Sequence, residues 1–138
     1  MKKNLISLAC AFGFSLAHAD AQQLTVIVNS ASTMTQGIAM VLTTQMQVQG
    51  SQVHVLLCDK AADMALKGAT GEVLKPNNVT PSQMLDGAMK KGATASVCAL
   101  YLPNTGHTPD QLKDGITAAK PDAMGKAVMD TQRKVMVF

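Results

Sequence analysis

Short runs of β-branched and aliphatic residues alternate with segments that carry marked helix starts, and this alternation constrains the fold more than any other feature. Leu24–Ser30 (LTVIVNS), Val53–Asp59 (VHVLLCD), Ala95–Leu102 (ASVCALYL) and Val135–Phe138 (VMVF) have strand length and near-continuous apolar character. Strands apolar on both faces belong to sheets covered on both sides, which is the parallel arrangement. Between them, Thr33-x-x-Gln36, Thr80-Pro81-x-Gln83 and Thr108-Pro109-x-Gln111 match the capping box. In the last two, Pro takes the first helical position, where its missing N–H is harmless. Met34, Ile38, Val41, Leu42 and Met46 share one face of the first helix, which predicts that this face is the buried one. Pro121 opens a last helix, and Gly115–Ala119 is a short candidate fifth strand. The expected fold is α/β: three-layer and flavodoxin-like, with a mostly parallel sheet of 4–5 strands and helices on both faces.

The N-terminus carries an address. Lys2 and Lys3 precede the apolar Leu5–Leu16, and small residues follow at Ala17 and Ala19, the pattern of a cleaved export signal. An apolar run of about 12 residues is shorter than the roughly 20 needed to span a bilayer. Residues 1–19 therefore read as a signal peptide and 20–138 as one α/β domain, although Ala21 also satisfies the cleavage rule. The expectation is a periplasmic protein with no membrane attachment after cleavage. Without Lys2 and Lys3 the formal charge falls from +3 to +1, too weak a field to argue for nucleic acid. Aromatic residues make up 3% of the chain with no Trp, which leaves no stacking platform for single strands.

Two cysteines remain in residues 20–138, Cys58 and Cys98, each toward the C-terminal end of an expected strand. Ligands of open α/β sheets bind beyond those ends, where the strand order reverses. With the common order 2-1-3-4-5, the crevice lies between the first and third strands. Asn29, Ser30, Ala31, Ser32 and Thr33 would line one wall, with Thr33 and the serines able to hold a small anion or simply to cap the chain. Cys98 through Pro103, including Tyr101, would form the other. That order separates the cysteines by two strand spacings, roughly 9–10 Å. A disulfide needs Cα atoms within about 7 Å, so the expectation is two free thiols. Free cysteine often packs as a small hydrophobe, and that reading stands beside a reactive one.

Residues Val55-Leu56-Leu57-Cys58-Asp59-Lys60-Ala61-Ala62-Asp63-Met64-Ala65-Leu66, then Met84-Leu85 and Lys91-Gly92-Ala93 leading into Val97-Cys98-Ala99, resemble the DsrE/DsrF-like family. The resemblance runs from about Leu24 to Phe138, and the helix-Gly-Ala-strand-Cys segment ending at Cys98 is its most specific part. It implies a small flavodoxin-like domain that assembles into trimers or hexamers. It also implies sulfur carried as a persulfide on the cysteine matched by Cys98, exchanged with a donor or acceptor protein. Such a carrier attacks as thiolate, whereas an unperturbed thiol with a pKa of about 8.5 is only slightly ionised at neutral pH. His107, in the loop after Cys98, is a candidate supporting base, and Cys58 a candidate supporting thiol. Asp59 beside Cys58 disfavours a thiolate there and most simply caps the next helix. The function expected is a sulfur carrier or thiol-redox protein acting through Cys98, with a non-catalytic oligomeric binding module as the alternative.

No cofactor is expected. The chain has no GxSxG elbow, no Walker loop and no GxGxxG after the first strand. Tyr101 is the single tyrosine, which argues against stacking a flavin. Methionine and cysteine together suggest Cu(I), but no CxxC, MxxM or His-rich tract supports it, and zinc lacks a clustered ligand set.

Overall fold

The computed structural model describes residues 21–138. Residues 1–19, expected to be an export signal and containing Cys10, lie outside the described residues. Five strands form one parallel sheet: β1 (Gln23–Val28), β2 (Gln52–Leu57), β3 (Thr94–Val97), β4 (Thr117–Ala118) and β5 (Arg133–Val137). Their spatial order is β4-β3-β2-β1-β5. The chain steps outward one strand at a time from β1 to β4 and then crosses back to place β5 on the other side of β1. Sequential strands usually lie side by side, and here four of them do. The expected order 2-1-3-4-5 is thereby corrected: β2, not β1, stands next to β3.

Helices α1 (Thr33–Val48) and α2 (Pro81–Lys90), with the 3-10 segment Asp59–Ala65, cover one sheet face. Against them the strands bury Leu24, Val26, Val28, Val53, Val55, Leu57, Ala95 and Val97. The short helix α3 (Tyr101–Thr105) adds Tyr101 and Leu102 to the same core. Helix α4 (Pro121–Met129) crosses the opposite face. Its start shares a pocket with the C-terminal ends of β2 and β3, while its Ala127 lies near His54 and Arg133. The sheet is therefore layered by helices on both sides, as the alternating pattern implies.

The α4 face is more polar. Parallel register puts Thr25, His54 and Thr94 side by side on it. The His54 ring sits between two hydroxyls of β3, Nδ1 at 2.8 Å from Thr94 Oγ1 and Nε2 at 2.9 Å from Ser96 Oγ. Burial, then the nearby Arg133 guanidinium, lowers the pKa of His54 below the ordinary imidazole value.

Local signals hold in part. Thr80 caps α2 with a full capping box, its amide donating to Gln83 Oε1 at 2.8 Å. Thr108 makes the same amide bond to Gln111 at 2.9 Å, but the helix it opens is only the 3-10 turn Pro109–Gln111. At α1 the cap is Ser32 rather than Thr33, its hydroxyl accepting from the Thr35 amide at 3.3 Å. The buried face of α1 also differs from expectation. Gly37, Ala39, Met40 and Thr43 turn inward, whereas Met34 is 70% exposed and Ile38 and Val41 are also exposed. Both faces of this helix are apolar, and the sheet takes the one where Gly37 and Ala39 permit close approach and Met40 fills the core. Leu74, in the loop between the 3-10 segment and α2, packs where a Cβ on Gly37 would stand.

Candidate functional site

The C-terminal ends of β2 and β3 bring the two cysteines together. Cys58 extends β2 by one residue, its amide donating to Val28 O at 2.8 Å. Cys98 extends β3 likewise, with its amide on Leu57 O at 2.8 Å, and its own carbonyl accepts from the Tyr101 amide at 2.9 Å. With adjacent strands in register, Cys58 and Cys98 form a disulfide, their Cα atoms 4.9 Å apart. This overturns the expectation of separated thiols, and the cause is the strand order: no strand lies between β2 and β3. The signal that points to it is the tendency of consecutive strands to pair.

Both cysteines open onto a cavity of about 800 Å³. Asp59, Lys60 and Asp63 form its polar side, and Leu100 with Pro121 and Met124 of α4 its apolar side. Cys98 is 8% exposed and Cys58 is partly exposed, so the pair is reached through this cavity rather than from open surface. The chain leaves β3 at Val97 and enters α3 at Tyr101, sooner than the expected strand Ala95–Leu102 would end. That early turn places the Tyr101 side chain in the cavity wall.

The Tyr101 hydroxyl donates to Asp63 Oδ1 at 2.8 Å, and Asp63 Oδ2 pairs with Lys60 Nζ at 3.3 Å. Burial, then the Asp63 carboxylate as acceptor and as charge, pushes the Tyr101 pKa up, keeping the phenol protonated. Asp63 has no separate signature in the sequence beyond its place in the Val55–Leu66 stretch, and only the fold shows it facing Tyr101. His107 packs on the Tyr101 ring, centroids 5.9 Å apart, and its Nδ1 lies 3.1 Å from Gln111 Oε1. It borders a neighbouring cavity with Lys67 and Thr105, one side chain removed from the cysteines.

The residues after β1 do not join this site, because β2 stands between β1 and β3. The Ser32 amide donates to Ser30 Oγ at 3.1 Å, and the Gln36 side-chain amide donates to Ser30 O at 2.8 Å. Asn29 is fixed by its amide to Phe138 O at 2.8 Å. Thr33 lines a separate cavity of about 330 Å³ with Gln36, Thr80 and Glu72. Lys60 and Asp63 border both cavities. Among the described residues, no three His, Cys, Asp or Glu side chains cluster as a metal site.

No family model matches the sequence, and no curated protein matches it either. Solved structures do. The ychN protein from E. coli superposes with a TM-score of 0.65 at 17% identity, over 85% of this chain and 99% of its own. The chain has a DsrE/YchN-like fold. MTH1491 from Methanobacterium thermoautotrophicum, a protein of unknown function, superposes with a TM-score of 0.61 at 13% identity. That match covers 86% of this chain and all of the other. At such identities the likeness establishes architecture, and the chemistry of the site has to be argued from its own residues.

Proposed function

We propose that this chain is an exported DsrE-like protein that carries sulfur, or exchanges thiols, through Cys98. The observation that carries the reading is a sulfur pair at the C-terminal ends of two central strands, facing a cavity large enough for a thiol-bearing substrate. Structural disulfides are commonly sealed, whereas this one has a route in. In the reduced form the Cys98 thiolate attacks the outer sulfur of a donor persulfide. The donor leaves as thiolate and Cys98 holds the added sulfur as a persulfide. The cavity gives that extra atom room beside Leu100 and Met124. His107 acts at most through Tyr101, as a support for the cavity wall. Export through the N-terminal signal would place the protein in an oxidising compartment, where the Cys58–Cys98 bond forms readily.

A homo-oligomer belongs to the same proposal. Met34, Ile38, Val41 and Val48 leave an apolar stripe along the outer face of α1, a surface that association would cover. The alternative, a non-catalytic binding module, draws on the same cavity, which is mostly apolar and would hold a ligand without using sulfur.

Intact-mass measurement decides between the two. The reduced protein, incubated with a persulfide donor, is expected to gain sulfur, and Cys98→Ser is expected to abolish the gain. Absence of a cysteine-dependent adduct leaves the binding module.

A further inference from the structure

The carrier reading assigns a duty to Cys98 alone, yet the fold holds a second sulfur in bonding position. Cα atoms 4.9 Å apart fall inside the range a disulfide spans without backbone movement. Each cysteine is anchored by its own amide in the parallel ladder, so the two cannot drift apart when the bond is open. A thiol held in this way competes intramolecularly with any acceptor in solution.

We propose that Cys58 is a resolving cysteine that discharges the Cys98 persulfide as hydrosulfide. The inference rests on Cys98 being the loaded residue. The Cys58 thiolate attacks Cys98 Sγ, the inner sulfur of the persulfide. The Cys58–Cys98 bond forms, the bond from Cys98 Sγ to the outer sulfur breaks, and that sulfur leaves with the electron pair as HS⁻. The outer sulfur is reduced by two electrons, and the two cysteines are oxidised to the disulfide. Loss of the Cys58 proton to solvent completes the balance. A dithiol reductant must then reopen the bond before another load, its own two thiols becoming a disulfide.

The roles follow from placement. Cys98 is the more enclosed of the pair, which shields its persulfide from stray thiols. Cys58 is partly exposed and directly followed by Asp59, with Asp63 on the same cavity side. The cavity beside them offers hydrosulfide an exit.

The test uses the full exported chain, reduced with a dithiol, freed of reductant and treated with one portion of glutathione persulfide. Intact mass and released sulfide are followed together in the wild type and in Cys58→Ser. The wild type is expected to release one sulfide per chain while its mass falls to that of the disulfide form. Cys58→Ser is expected to keep one added sulfur at least about tenfold longer. Equal lifetimes in the two proteins, or sulfide release with no disulfide in the wild type, overturn the resolving role and leave the carrier intact. No adduct in either protein, with no sulfide released, overturns both. Simultaneous release and disulfide formation is read in the wild type alone, so the inference stays testable if the Ser variant does not fold.

Discussion

Tyr101 and His54 are buried or half-buried side chains whose ionisation the fold holds away from its ordinary value. Tyr101 is buried against Asp63, and its hydroxyl bond closes the cavity wall beside Cys98. Tyr101→Phe keeps the ring and removes that bond. Urea unfolding is expected to show a loss of about 1–2 kcal/mol, low for a bond to a charged acceptor because Asp63 is still open to water and paired with Lys60. His54 works in the opposite sense, because its folded pKa is depressed. Below the ordinary imidazole value of about 6.5, the unfolded chain binds a proton that the folded chain refuses. Its contribution is therefore full above that pH and is lost as pH falls from there toward the folded value. The urea midpoint of the wild type is expected to drop across that window, and His54→Gln is expected to flatten the drop.

Helix starts show most clearly what can be read from sequence at the scale of elements. The Thr80 capping box is present in the structure as the sequence pattern describes it. Thr80→Ala is expected to cost about 1 kcal/mol by thermal or urea unfolding. Thr108 carries the same motif and the same bond to Gln111, but its turn ends after three residues. A cap states where a helix can begin, while packing decides how far it runs. The face of α1 was not legible for a related reason. Met34, Ile38 and Val41 follow the helical period as well as Ala39, Met40 and Thr43 do, and only packing against the sheet selects the second set. The stripe left outside leads to a test of assembly. Ile38→Glu is expected to shift the protein toward monomer in analytical ultracentrifugation, and an unchanged mass distribution would remove α1 as an assembly surface.

Across the whole molecule, the apolar strands of the sequence convey the class of fold, but the strand order expected from it, 2-1-3-4-5, is not the one formed. That single choice rearranged the site. With β2 beside β3, Cys58 moves from a distant edge to bonding distance of Cys98, and Ser32 becomes the cap of α1, with Ser30 bonded to its amide, instead of a wall of the cysteine cavity. The bond joins positions 40 residues apart. Closing a loop of that length in the unfolded chain stabilises the fold by about 4 kcal/mol. Urea unfolding with and without a dithiol reductant is expected to differ by an amount of that order. The proposed function requires that Cys98 offer its sulfur to the cavity in the folded protein. The most direct measurement is thiol labelling of the reduced, native chain, followed cysteine by cysteine by peptide mass. Labelling of Cys98 under native conditions at a rate unaffected by low urea is the expected result. Labelling of Cys98 only as fast as the protein unfolds would contradict it.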